Sequence, residues 1–248
     1  MRIAIAGGTG LLGGLVVDEA TARGHHGVVL ARSHGVDLTT GAGLDEALHG
    51  VEAVIDVTNI ATLKAEASTA FFEAVTRPLL TGEERAGIRR HVALSIVGVD
   101  RAPFDYYAGK RAQERPIEAS TVPWAILRAT QFHEFAGQIH ATAAVGPVHL
   151  APRMPTQPIA AREVASRLVD LAESPARGGY VEVAGPPEES LVDMVRRWAR
   201  ATGHRGPIPA VPLPGRLGRA QREGTLLPGD AAEIGEETFT DWLRRTTG

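Results

Sequence analysis

Met1-Arg2-Ile3-Ala4-Ile5-Ala6-Gly7-Gly8-Thr9-Gly10-Leu11-Leu12-Gly13-Gly14 decides the fold. Residues 2–6 are a short apolar, partly β-branched run that predicts a strand, and the glycines follow at once. Residues 15–23 (LVVDEATAR) then place apolar side chains at helical spacing before Gly24 stops them. A glycine pattern becomes a dinucleotide site when strand, loop and helix follow in that order. Gly7 can turn tightly out of the strand with positive φ. Gly10 leaves no side chain between backbone and pyrophosphate, and Gly13 allows close helix packing on the sheet. The phosphates would sit at the helix N-terminus, where free N–H groups and the positive dipole end favour an anion. Gly7, Thr9, Gly10, Leu11, Leu12 and Gly13 are therefore candidate cofactor contacts. A secretory signal is not expected: glycines and Thr9 interrupt the apolar stretch, no small-residue cleavage site follows, and charge arrives by Asp18.

Composition narrows the remaining classes. With 248 residues, 44% hydrophobic and 22% charged, the chain has ordinary globular make-up and room for a substantial core. A net charge of −3, without blocks of like charge, points to no nucleic-acid partner and no polybasic membrane anchor. No apolar run approaches the roughly 18 residues of a bilayer span. The absence of cysteine excludes disulfides, thiolate metal sites and cysteine nucleophiles. The expectation is a cytoplasmic protein acting on a small molecule; whether it is a monomer or homodimer stays open. Abundant Ala, Arg, Gly and Pro beside only two lysines, Lys64 and Lys110, point to a GC-rich bacterial genome and make either lysine informative.

Taken in order, residues 27–33 predict a second buried strand ending at Arg32 and Ser33. At that place an acidic residue would bond a ribose 2′-OH, whereas arginine accommodates a 2′-phosphate. The planar donor fork of Arg32, with Ser33, thus argues for NADP(H). His25, His26 and His34 match no metal motif, and no metal site is expected. Residues 35–39 are read as a short third strand, 44–48 as a short helix and 50–59 as a fourth strand. The carboxyl end of that fourth strand brings Thr58 and Asn59 beside the cofactor. A helix is expected over 63–76 and a fifth strand over 90–99. A helix begins at Tyr106 and is kinked or ended by Pro116. A sixth strand covers 124–129, a helix 161–173 and a seventh strand 180–185. Helices are also expected over 188–202 and 238–245. This alternation predicts a Rossmann-type, doubly wound parallel sheet. The expected organisation is an NAD(P)-binding core over residues 1–145. Residues 146–248 would complete the sheet and form a small C-terminal substrate-side lobe.

Tyr106-x-x-x-Lys110 is the sharpest catalytic signal, because i and i+4 share a helix face. A free tyrosine has a pKa of about 10, and a nearby lysine cation would favour the phenolate by lowering it. Ser95, near the end of the fifth strand, could orient a substrate carbonyl. A tuned acid, a positioning hydroxyl and a reduced nicotinamide are what carbonyl reduction requires.

The glycine loop with its Gly7-x-x-Gly10-x-x-Gly13 spacing, Ala31-Arg32-Ser33, Leu94-Ser95-Ile96-Val97-Gly98, Tyr106-Tyr107-x-x-Lys110, Ile126-Leu127-Arg128-Ala129-Thr130-Gln131-Phe132 and Gln157-Pro158-Ile159 together resemble the atypical short-chain dehydrogenase/reductases of the NmrA-like kind. The resemblance covers residues 1 to about 185. It implies a Rossmann fold, NADP(H), a small-molecule substrate, and Asp37 and Leu38 as neighbours of the adenine. Many NmrA-like members lack the tyrosine and act as redox sensors, so Tyr106 favours an enzyme. The interval from Ser95 to Tyr106 is slightly shorter than in the main reductase families. The expected catalytic group is Tyr106, Lys110 and Ser95, with Lys110 also holding the cofactor ribose. Gln131, Phe132, His133 and Gln157 are candidate substrate contacts. Three functions remain open. One is an NADPH-dependent oxidoreductase reducing a carbonyl or related unsaturated group. The others are a cofactor-binding sensor without turnover and a non-reducing isomerase, epimerase or cyclase.

Overall fold

The computed structural model describes residues 1–146, 148–175 and 178–247. Its centre is a seven-stranded, wholly parallel sheet. The strands are β1 (Arg2–Ala6), β2 (His26–Leu30), β3 (Ala53–Asp56), β4 (His91–Ile96), β5 (Trp124–Ala129), β6 (Tyr180–Ala184) and β7 (Glu233–Ile234), in the order β7-β6-β5-β4-β3-β1-β2. The chain leaves β1 for β2 on one side and returns past β1 to β3 on the other. That reversal opens a crevice outside the carboxyl ends of β1 and β3, where doubly wound folds bind their ligands.

Both sheet faces are covered, as a buried parallel sheet requires. Ile3 and Ile5 of β1, Val92 of β4 and Leu127 of β5 pack on one face against α1 (Leu11–Ala22) and α6 (Ala161–Glu173). On the other face Ala4, Ala6, Val54, Ala93 and Ile126 meet α2 (Leu44–Ala47), α3 (Ala65–Ala86) and α4 (Tyr106–Glu118). A second core belongs to the C-terminal part. There α5 (Phe135–Thr142), α7 (Leu191–Ala201), α8 (Gly215–Arg222) and α9 (Phe239–Thr247) gather Ala136, Met194, Val195, Leu217, Phe239 and Trp242.

Several elements depart from the sequence reading. Residues 35–39 form no strand: Arg32–His34 is a 3-10 turn, and Asp37 makes only an isolated antiparallel bridge to Ala42. Gly35, Gly41 and Gly43 all hold positive φ, which folds the segment back on itself. α3 continues past Pro78 to Ala86, because the donor lost at proline is outweighed by burial of Leu79 and Leu80 directly after it. α4 likewise continues through Pro116 to Glu118. α5, α8 and β7 were not foreseen.

A buried polar chain fixes α4 to the sheet. The Lys110 ammonium, 3% exposed, donates to Leu94 O (2.6 Å) and to Gln113 Oε1 (2.5 Å). The Gln113 amide donates to Asp56 Oδ2 (2.8 Å), and Asp56 Oδ1 accepts from Thr58 N (2.9 Å) and Thr58 Oγ1 (2.7 Å). The Phe72 ring centroid lies 4.6 Å from Lys110 Nζ. α3 and α4 cross closely at Gly109, where an added Cβ would stand 1.9 Å from Ser68 Oγ and 2.5 Å from the Ser68 carbonyl carbon.

Two outcomes follow for stability. Gly109→Ala should cost about 1–3 kcal/mol by overpacking, read as a fall of several degrees in Tm. Gly14→Ala, with nothing within 4 Å of its Cβ, should be neutral or slightly stabilising through helix propensity. Equal effects of the two changes would refute the close crossing. Burial lowers the Lys110 pKa from 10.5 to about 8. The unfolded chain therefore binds more protons than the native one above pH 8, so stability should rise from about pH 8 to 10. Lys110→Met should remove that rise in urea titrations across this range.

Candidate functional site

The glycine loop is built by close backbone approach. Gly7 has φ +82°, and an added Cβ there would stand 2.9 Å from Val57 O and 3.0 Å from Thr58 N. A Cβ on Gly13 would fall 2.1 Å from Gly7 O, so Gly13 lets α1 start directly against the loop's own backbone rather than against the sheet. Gly10 N donates to Gly7 O (3.0 Å) and closes the turn. α1 has no side-chain cap and no acidic residue in its first turn. The first-turn N–H groups of Leu11, Leu12 and Gly13 thus lack intrahelical acceptors and present a positive end. Thr9, Gly10 and Leu11 are exposed beside it, whereas the Leu12 side chain is buried in the core and can offer only its amide. An uncapped helix start reached through glycines fits a pyrophosphate.

Arg32 and Ser33 stand exposed just beyond β2. Among the described residues the Arg32 guanidinium makes no hydrogen bond or ion pair, which fits a donor fork free for a phosphate. Ser33 Oγ is 3.0 Å from His34 Nδ1. Asp37 Oδ1 accepts from Thr39 Oγ1 (2.6 Å) and Thr39 N (2.9 Å), and these bonds hold its carboxyl below the usual range. Leu38 is buried beside it.

Across the crevice, β3 ends in Asp56 and delivers Val57, Thr58 and Asn59. Thr58 is buried and held by Asp56, and Asn59 is exposed. The Tyr106 hydroxyl donates to Asn59 Oδ1 at 2.6 Å. Asp105, immediately before Tyr106, has φ 52° and ψ −127°, the one positive φ outside glycine among the described residues. Such backbone strain costs on the order of 1–3 kcal/mol and clusters at functional sites.

The catalytic trio read from the sequence is not assembled here. Lys110 points into the core, and among the described residues no hydrogen bond joins it to Tyr106. The phenol pKa is raised rather than lowered, because burial, with Tyr107 beside it, disfavours the phenolate. Ser95 is 2% exposed, and its buried Oγ has no partner, so it cannot reach a substrate carbonyl in this conformation. Tyr107 packs into the lobe, its pKa pushed up to about 12 by burial, with Gln131 Nε2 donating to its hydroxyl at 3.3 Å. Asp56 and Gln113 were missed. The signals available were an aspartate inside an apolar strand run and a glutamine three residues after one of only two lysines in the chain.

The four candidate substrate contacts are mostly tied up internally. Gln131 Oε1 accepts from Thr156 Oγ1 (2.6 Å), and Gln157 Nε2 donates to Gly185 O (2.7 Å). Phe132 bridges to Ile159 and packs on the sheet core. His133 is wholly buried between Phe239 and Trp242 with Nε2 3.0 Å from Glu237 O, which removes it from substrate contact. A cavity of about 640 Å³ opens between Arg101, Phe104 and the α8 arginines, with no glycine-loop residue in its wall.

Comparison with known proteins is consistent with this geometry. Residues 29–175 match the family model described as NAD(P)H-binding. No curated protein sequence matches the chain. Among solved structures, a UDP-glucose 4-epimerase from Stenotrophomonas maltophila with bound NAD superposes with a TM-score of 0.75 at 16% identity, covering 99% of this chain and 96% of that one. An NADPH-dependent quinone oxidoreductase from Escherichia coli, complexed with NADPH, gives 0.71 at 17% identity over 99% and 100% of the chains. A nucleoside-diphosphate-sugar epimerase from Staphylococcus aureus gives 0.72 at 14% over 98% and 100%. At these identities the structural likeness establishes the fold alone. The family match spans more than half the chain, and with it the protein belongs to the NAD(P)H-binding family, of the NmrA-like atypical short-chain dehydrogenase/reductase kind.

Proposed function

We propose that this protein is an NADPH-dependent reductase of a carbonyl or related unsaturated group in a small metabolite, with Tyr106 as its proton donor. One run of contacts carries the reading: Gly7 abuts Val57 and Thr58, the chain continues to Asn59, and Asn59 accepts the Tyr106 hydroxyl at 2.6 Å. The phenol therefore stands at the same sheet edge as the uncapped start of α1. When bound, the reduced nicotinamide supplies the two electrons of the reduction. Gly7, Thr9, Gly10 and the amides of Leu11, Leu12 and Gly13 would hold its pyrophosphate, Arg32 and Ser33 its 2′-phosphate, Asp37 and Leu38 its adenine side, and Thr58 and Asn59 its nicotinamide side.

Burial keeps Tyr106 protonated well above neutral pH. It is thus in the protonated form that can give a proton to a carbonyl oxygen as negative charge develops there. Lys110 acts as a positioning residue, anchoring the turn of α4 that follows Tyr106. The inward turn of Lys110 and the sealed Ser95 favour a second reading, a cofactor-binding sensor without turnover. Consumption of NADPH in the presence of a substrate separates the two.

Fluorescence titration with both reduced cofactors tests the specificity. NADPH should bind more tightly than NADH, and Arg32→Ala should weaken NADPH about 10–100-fold, the loss of a charge-assisted contact, with little effect on NADH. Equal affinity of wild type for the two would end the claim. For the chemistry, Tyr106→Phe should lower turnover about 10²–10⁴-fold while NADPH affinity stays nearly constant, and Tyr107→Phe should be mild. Normal turnover by Tyr106→Phe would make the tyrosine structural.

A further inference from the structure

Three imidazoles meet in the C-terminal lobe, on elements that contribute nothing to the glycine loop. His140 lies in the last turn of α5, His149 at the end of the short strand Val148–His149, and His204 in the loop after α7. The His140 and His149 rings stack with centroids 4.1 Å apart, and His204 stands edge-on at 4.9 Å and 4.5 Å from them. One ring nitrogen from each lies within 4.8 Å of the others, the only such metal-competent group among the described residues.

The hydrogen bonding around the rings is one-sided. His149 Nδ1 is 2.6 Å from the His140 carbonyl oxygen, so that nitrogen carries the proton and donates, and Nε2 keeps a lone pair. Nε2 of His140 and Nε2 of His204 are both buried and have no partner. Buried polar nitrogens are normally satisfied, so two orphans within one cluster need an explanation.

We propose that His140, His149 and His204 bind one divalent transition-metal ion of the zinc type, with water completing the coordination. Neutral imidazoles suit zinc and its neighbours, whereas magnesium and calcium require oxygen ligands. The bond from His149 to the His140 carbonyl is the kind of outer contact that fixes the tautomer of a metal-ligating histidine. Binding draws the three nitrogens to about 3.3 Å apart, the edge of a tetrahedron with metal–nitrogen bonds of about 2.0–2.1 Å. That movement turns the stacked rings out of parallel. The ion would tie the end of α5, the short strand Val148–His149 and the loop after α7 into one unit. It requires neither the cofactor nor Tyr106.

The test uses the full chain without an affinity tag, freed of metal by chelator and dialysis. Calorimetric titration with zinc chloride should show one ion per chain. Cobalt should give the intense visible absorption of a low-coordinate site. With zinc a hundredfold above Kd, Tm should rise by about 5–10 °C. His204→Ala and His149→Gln should each weaken zinc at least about 100-fold, beyond the loss expected for an outer contact. His26→Ala, at an exposed position, should bind as wild type. Circular dichroism and unchanged NADPH titration confirm that the variants are folded. No zinc-dependent rise in Tm, or zinc binding indifferent to both lobe variants, would overturn the proposal.

Discussion

The arrangement depends on one buried ammonium. Lys110, on the buried face of α4, is almost wholly enclosed, and its charge is tolerable because Leu94 O and Gln113 accept from it and Gln113 relays to Asp56. Removing one partner of such a chain leaves an uncompensated buried group, at a cost of about 3–5 kcal/mol. The chain therefore locks three things together: the tilt of α4, the carboxyl end of β3, and the Thr58 backbone that Asp56 holds. Tyr106 and Asn59 inherit their positions from it, one from the helix and the other from the strand. A loosened helix would separate them without any change to either residue.

The other constraint is the lack of a side chain at Gly7 and Gly13, on either side of the start of α1. Gly7 and Gly13 approach neighbouring backbone more closely than any Cβ permits, which makes the crevice floor a surface of peptide groups. Peptide N–H groups at a helix start recognise phosphate without regard to what lies beyond it. The same floor therefore serves folds that carry epimerases and reductases alike, and the reaction is decided by the residues above it.

Much of this was legible in the sequence because it rests on short-range rules. The first strand, the strand at 124–129 and the helix at 161–173 follow from local periodicity, and the structure has them at the residues read, while α1 begins four residues before the apolar spacing at 15–23. The segment at 35–39 misled because Val36 and Leu38 alternate like a strand, while the glycines around them set the backbone. α3 ran past its expected end because core burial of Leu79 and Leu80 outweighed Pro78. The i, i+4 rule relates Tyr106 to Lys110 on their own helix but says nothing of how that helix is rotated toward the sheet. The direction of the ammonium and the sealing of Ser95 lay beyond it for that reason. The histidine cluster was illegible for a simpler one: its members come from three elements, separated by 9 and 55 residues, and match no spacing motif.

β7 has a consequence for how the chain acquires its fold. It contributes two residues, Glu233 and Ile234, that pair with Val183 and Ala184 of β6, and every element of the lobe core from α7 to α8 lies between them in sequence. As the polypeptide leaves the ribosome, β6 waits with an unpaired edge while about fifty residues are made. An open parallel edge is a template for other chains. Phe239 and Trp242 follow β7 in the chain, so their burial in the lobe core anchors the last strand against that edge and keeps the edge covered.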